Sequence, residues 1–262
     1  MAKSNKPDAD AIAKELSNPA TSLSSLNFNF ETYTGEEGFM KQKINFQPSF
    51  PIKLDEGAVF AIRPLVGMTI TDKGDEKETS FDNISTDIMY GQTFKSGTIL
   101  LGGVYFSAPT STADGAQDNW VGGPEALIAQ IFPWGVAGTF VSHATDFNSP
   151  DSKEFETDLT NIQYIYSVGL GGGYTLSASP TIVYNLNYED QKTYASGHNL
   201  ESEWSIPVGI GISKTTIIGN MPLKISAEVN YYVEKQRESD ADFLLKFKIT
   251  PVVKNPLQSF FN

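Results

Sequence analysis

The chain has 262 residues, with 19 Lys and Arg against 31 Asp and Glu, a net charge of −12 and no cysteine. No stretch approaches the ~18–20 consecutive apolar residues of a membrane-spanning helix, and the lack of cysteine excludes disulfides, thiolate catalysis and Cys-ligated zinc. The acidic balance argues against nucleic acid as a partner, because phosphate binding needs clustered Lys and Arg. Charged residues make up 19% of the chain, below the ~25% usual in soluble domains, while aromatic residues reach 12%, with 17 Phe and 11 Tyr.

Residues 1–20 are polar and rich in Asp, Lys, Ser and Asn. Met1-Ala2-Lys3 opens no apolar export run, which leaves either an internal protein or a mature region behind a start Met. A short helix fits around Ala11, Ile12 and Leu16, and Pro19 ends it. The segment reads as an N-terminal tail or a plug; residues 254–262 read as a C-terminal tail.

From Leu23 to Thr250 the hydrophobic period is two. Leu223, Ile225, Ala227, Val229, Tyr231 and Val233 alternate with Lys224, Ser226, Glu228, Asn230, Tyr232 and Glu234. Phe243, Leu245, Phe247 and Ile249 alternate with Asp242, Leu244, Lys246 and Lys248. Strict alternation over a strand's length gives one apolar and one wet face. About twelve such segments, longer than the ~5–6 residues of a typical globular strand, centre near residues 28, 45, 64, 86, 101, 126, 140, 164, 181, 206, 228 and 247. Each is long enough for a tilted membrane-spanning strand of ~9–11 residues.

The connections sort into short ones, at 53–57, 93–96, 132–135, near Gly171 and at 214–222, and longer polar ones, at 72–79, 108–119, 148–157, 189–199 and 234–240. Only the first hairpin, at Gly35 to Gly38, departs from the alternation of short and long. Short turns on one side and long loops on the other fit an outer-membrane barrel, closed because an open edge does not survive in hydrocarbon. A soluble sandwich or calycin-like barrel would carry the same alternation with the apolar face inward. Strand length, charges among small residues on the wet face, and Tyr90, Trp120, Trp134, Tyr188, Trp204, Tyr231 and Tyr232 near strand ends favour the membrane. The expected architecture is all-β: a transmembrane antiparallel up-and-down barrel of about 12 strands over residues 21–253.

The segments NPATSLSSLNFNFETYTG, KINFQPSFPIKLDEGAVFAIRPLVG, TILLGGVYFSAPTSTADG, NWVGGPEALIAQ, PWGVAGTFVSHATDF and NLESEWSIPVGIGISKTTIIGNMPLKISAEVNYYVE, with a last strand DADFLLKFKITPVV, carry a resemblance over residues 18–253. In order and spacing they resemble the bacterial outer-membrane channel family known as phenol-degradation meta-pathway protein or "transporter". The resemblance implies a monomeric barrel of ~12 strands with a narrow lumen, through which small, often hydrophobic or bulky molecules diffuse.

With the apolar flank toward lipid, the opposite parity places Arg63, Asp87, Glu125, Glu201, Glu203, Lys224, Glu228, Lys246 and Lys248 in the lumen, with Asn185 and Asn230. These residues form either an electrostatic filter for polar solutes or a network that braces the wall and partly fills a small barrel. The glycine pairs and Gly171-Gly172-Gly173 lack the Lys and Ser/Thr of a phosphate cradle and read as turns or bends.

No catalytic site is expected. The two histidines, His143 and His198, form no zinc-binding pair; His143 takes the lumenal parity, and no G-x-S-x-G elbow exists. Asp114, Asp118, Asp151, Glu154, Glu156 and Asp158 make acidic loops that read as solvated, without the ligand spacing of a calcium loop. The expectation is a passive diffusion channel of the bacterial outer membrane, or alternatively a closed barrel serving as a surface anchor or receptor. Its partners are outer-membrane lipid, lipopolysaccharide and small-molecule solutes, with no cofactor and no metal. The net charge favours weak cation preference where solutes meet the acidic loops.

Overall fold

The computed structural model describes residues 8–35, 39–54, 57–72, 77–114, 116, 118–148, 156–194, 200–237 and 240–258. In chain order the strands are β1 (Ser24–Thr34), β2 (Met40–Lys53), β3 (Ala58–Asp72), β4 (Lys77–Phe81), β5 (Ser85–Thr93), β6 (Thr98–Ser107) and β7 (Val121–Phe132). They continue with β8 (Gly135–Asp146), β9 (Asp158–Gly171), β10 (Tyr174–Ala178), β11 (Thr181–Asn185), β12 (Trp204–Ile218), β13 (Met221–Glu234) and β14 (Phe243–Val253). All pairings are antiparallel; most join chain neighbours, with β3–β5, β9–β11 and β10–β12 the exceptions, and β1 pairs β14 from Ser24↔Val253 to Thr34↔Phe243, which closes the sheet. The result is a closed antiparallel barrel of 12 staves, each of which contains one of the twelve centres expected from the alternation.

The fourteen strand segments and the twelve staves differ for two local reasons. Strand β4 pairs only β3, as a hairpin extension in what reads as a polar loop, because Lys77 and Glu78 obscure its period. Strands β10 and β11 are one stave interrupted at Ser179-Pro180; proline has no amide to donate to a ladder. The connection expected at 214–222 is also far shorter. Strand β12 runs to Ile218 and β13 starts at Met221, and Gly219, at φ +63°, occupies the left-handed region that this tight turn needs. The other short turns lie on the same side, including the glycine run 171–173, all at positive φ.

The outward face is apolar. Phe28, Phe30, Ile44, Leu100, Val104, Ile128, Val208, Ile210, Ile212, Val229, Leu245 and Phe247 are all exposed. Aromatic rings gather at the strand ends, where Phe132 stacks on Trp134 at 4.8 Å and Tyr184 lies 4.4 Å from Trp204. In a soluble globule these side chains would be buried; here only a hydrocarbon layer can cover them.

Phe247 lies nearer mid-strand, opposite Ala227 and Phe30, and is 43% exposed, so Phe247→Arg should destabilise the barrel by about 2–4 kcal/mol, the cost of an arginine on the lipid face at mid-depth. Ser142→Arg, on the inward face opposite Glu125, should change stability by less than about 1 kcal/mol. Denaturant titration of both variants folded into vesicles checks the contrast.

Candidate functional site: a two-sided lumenal cavity

Inside the barrel lies a cavity of about 430 Å³. One arc of its wall is polar and charged, built by β1, β2, β3, β13 and β14: Asn29, Glu31, Gln47, Arg63, Lys224, Ser226, Glu228, Lys246 and Lys248. The facing arc, from β5 to β9, is apolar: Met89, Leu101, Leu127, Val136, Phe140 and Ile165. Met89, Leu101, Leu127 and Val136 join Ile99 and Ala129 in a buried cluster that faces inward. The lumen is therefore not simply the wet face of the sheet; the sequence parity for β5–β8 gives apolar residues on both sides.

The charged arc is held by cross-strand pairs. Arg63 Nη2 contacts Asp87 Oδ2 at 2.8 Å, and Gln47 Nε2 donates to the same oxygen at 3.3 Å. The Arg63 guanidinium also sits 5.9 Å from the centre of the Phe140 ring, a cation–π contact that spans the cavity. Glu125 is buried beside Asp87 and Arg63. Glu228 and Lys246 are register partners on β13 and β14, with Lys246 Nζ 3.3 Å from Glu228 Oε1. Lys248 pairs across β14 with Ser226 and Asn29, and Lys224 faces Thr250. Among the described residues Lys224 and Lys248 make no ion pair or hydrogen bond, so the paired cations are offset and two are left, against Glu31, whose carboxylate accepts from Tyr33 Oη at 3.0 Å.

The remaining expected lumenal residues are not part of the cavity lining. Glu201 and Glu203 precede β12 at the loop end of the barrel, where the Glu201 amide donates to Gln236 and the Glu203 carbonyl accepts from the Asn185 amide and Gln236. Asn185 and Asn230 keep the expected inward parity, shared with Gln163 through Thr181 and with Glu228, and both are buried. His143 has the outward parity, because Phe140 and Ser142 carry the inward one; its ring contacts Thr160 at 3.1 Å and Asp158 at 3.5 Å. The lumenal assignment of His143 is thus corrected. Its origin is the apolar inward wall, which puts Val136 and Phe140 inside, against the usual pattern. His198, Asp151 and Glu154 lie outside the described residues. Among the described residues no group of three or more His, Asp or Glu could hold a metal ion.

The sequence pattern gave the short N-terminal helix but left the segment open between a tail and a plug. Helix α1 (Ala9–Glu15) is capped by Asp8, which accepts from the Asp10 amide at 3.2 Å. The Asp10 carboxylate in turn accepts from the amides of Gly172 and Gly173 in the β9–β10 turn. The chain then enters the barrel: Leu16, Ser17, Asn18 and Pro19 line the cavity. Ser17 Oγ bonds Ser167 Oγ at 2.8 Å, Asn18 Nδ2 donates to Thr93 Oγ1 at 3.3 Å, and Ala20 packs on the apolar cluster. The legible signals were Pro19, which ends the helix, and the Asn18 and Ser17 polar groups beside it.

No protein-family model matches the chain, and no curated protein matches it significantly. Solved structures do. The COG4313 outer membrane channel from Pseudomonas putida F1 is 10% identical, with a TM-score of 0.66 over 88% of this chain and 96% of that one. The NanC porin is 8% identical, TM-score 0.51, over 87% and 99%. The translocator domain of the autotransporter NalP from Neisseria meningitidis is 12% identical, TM-score 0.50, over 94% and 93%.

Arg63→Ala should destabilise the barrel by about 1–3 kcal/mol, since it strands Asp87 beside Glu125. Arg63→Ala with Asp87→Ala should lose less than the sum of the two single variants, a coupling that a double-mutant cycle in vesicles measures. With apolar residues outward, β1 closed on β14 and channel and porin barrels sharing its architecture, the chain is a twelve-stranded β-barrel of the outer-membrane type.

Proposed function

We propose that the protein is a passive outer-membrane channel for small amphipathic molecules, those with a hydrocarbon part and a polar or anionic group. The observation that carries this reading is the cavity's two-sided wall. A solute can lay its apolar part on Met89, Leu101, Leu127 and Phe140 while its polar group meets Arg63, Lys224 and Lys248. Transfer of apolar surface onto such a wall is worth about 25 cal/mol per Å², and a wall of low polarity lets the solute leave again. The sequence resemblance to channels for hydrophobic or bulky molecules supports the same solute class. The fold is compatible with a monomer embedded in lipid and lipopolysaccharide, without a catalytic role.

Residues 16–21 narrow the lumen, in this reading as a plug that must shift or be skirted. A surface anchor or receptor is the second reading, and this obstruction is the observation that favours it. Reconstitution separates the two. The full-length barrel should show small single-channel currents and admit a short aromatic acid into liposomes, and deletion of residues 1–21 should raise conductance severalfold. A deletion variant that folds yet conducts nothing would leave only the anchor.

Selectivity should follow the cavity rather than the net charge of the chain. Arg63, Lys224, Lys246 and Lys248 line the cavity against only Glu31 and Glu228, while Asp87 and Glu125 are not part of its lining. Reversal potentials in a salt gradient should therefore indicate anion preference, and Lys224→Gln with Lys248→Gln should move them toward cations.

A further inference from the structure

The seam that closes the barrel stops short at its lower end. Strand β1 enters the wall at Ser24, because residues 16–21 before it line the lumen. Its lowest pairs are Ser24↔Val253 toward β14 and Ser25↔Ser49 toward β2. Strand β2 runs further, to Lys53. Its residues 50–53 pair β3 on one side and, among the described residues, have no ladder partner on the other. A strand margin left bare in this way frays and invites pairing with other chains.

The polar groups on that margin can be named. Successive residues of an antiparallel strand turn their N–H and C=O to opposite neighbours. Leu54 donates to the Ala58 carbonyl, on the β3 side, so Lys53 and Pro51 turn theirs toward the gap below β1. Proline has no amide, which leaves three groups: the Pro51 carbonyl, the Lys53 amide and the Lys53 carbonyl.

Each of the three has a partner in the chain that follows β14. Asn255 Nδ2 donates to the Pro51 carbonyl. Gln258 Oε1 accepts from the Lys53 amide at 3.0 Å, and Gln258 Nε2 donates to the Lys53 carbonyl at 3.5 Å. The Gln258 carboxamide thus stands in for the peptide group of an absent strand residue. Asn255 is itself held, since its Oδ1 accepts from the Leu257 amide at 2.9 Å. Two strand spacings of about 4.8 Å separate β14 from β2, a span that five residues cover. Between the two anchoring points, Ile52 shares the outward parity of Ile44, yet it is 2% exposed where Ile44 is 40%.

We propose that residues 254–258 are a strap that takes the place of the missing foot of β1, covers the β2 margin and locks the ring closed. It joins the last strand to the second across the first. Strands β1 and β14 therefore cannot part from below until the Asn255 and Gln258 bonds break. Those bonds need Val253 already beside Ser24, so the strap forms at the end of folding, after the main barrier. Contacts made that late slow unfolding and leave the folding rate almost untouched. The lock is independent of what the lumen passes.

Two substitutions in the full-length chain, folded into phosphatidylcholine vesicles, test it. Asn255→Ala with Gln258→Ala should unfold in urea about tenfold faster than the parent, with a folding rate changed less than about twofold. Both rates are read from the folded, faster-migrating form on an unheated gel. Gln258→Glu keeps an acceptor for the Lys53 amide and loses the donor to its carbonyl, and its unfolding rate should fall between. In the double variant, amide exchange should quicken at Lys53 and along residues 24–27 and 250–253. At the upper end of the same seam, residues 33–34 and 243–244, it should stay constant. An unchanged unfolding rate, folding slowed as much as unfolding is hastened, or exchange that rises evenly along the seam would overturn the strap.

Discussion

A hydrocarbon layer offers the peptide group no hydrogen-bond partner, and the rest of this structure follows from that deprivation. Every amide and carbonyl at membrane depth must find its partner within the chain. Staves of an antiparallel sheet do so if the first meets the last, as β1 meets β14 here. Closure then fixes which side of each strand sees lipid, and the period of two turns the sequence into an apolar outside and a chemically free inside. The interruption at Ser179-Pro180 obeys the same rule by other means, since Tyr164 and Tyr166 supply the donors that the missing ladder would have given to β12.

Freedom inside the barrel is what gives the lumen its two characters. Inward positions on β1–β3, β13 and β14 carry Glu31, Arg63, Glu228, Lys246 and Lys248, and those on β5–β9 carry Met89, Leu101, Leu127, Val136 and Ile165. Neither arc arises from residues close in sequence. Each is assembled by the stagger of neighbouring strands, so that Arg63 of β3 meets Asp87 of β5 and reaches the ring of Phe140 on β8. The N-terminal segment uses both arcs: Ser17 and Asn18 find hydroxyl partners on the wall, and Ala20 settles on the apolar cluster.

Much of the scaffold was legible from period alone, because the lipid-facing constraint repeats in every strand. Phe243, Leu245 and Phe247 against Lys246 and Lys248 state it in the plainest form, and each of the twelve centres lies in a stave. The interior was less legible, because no such constraint governs it. Where the inward wall is itself apolar, as in β8, alternation loses its sign, and His143 was assigned to the wrong face. Alternation also runs on past the strand end, which is why Glu201 and Glu203 counted as wall residues although they precede β12. The break at Ser179-Pro180 left no mark on the period, since Leu176, Ala178, Pro180 and Ile182 continue it, and only pairing partners distant in sequence expose it.

The bond between the first strand and the last has a further consequence for how the molecule comes into being. Ser24 cannot meet Val253 until all twelve staves between and including them have been synthesised, so no shorter product can seal its own rim. Contacts of such long sequence separation make folding slow, and during that delay two greasy, unpaired margins invite sticking to other chains. A polypeptide still unfolded when it reaches the bilayer escapes that hazard, because there the ring can shut in a single late step with its apolar flank already covered.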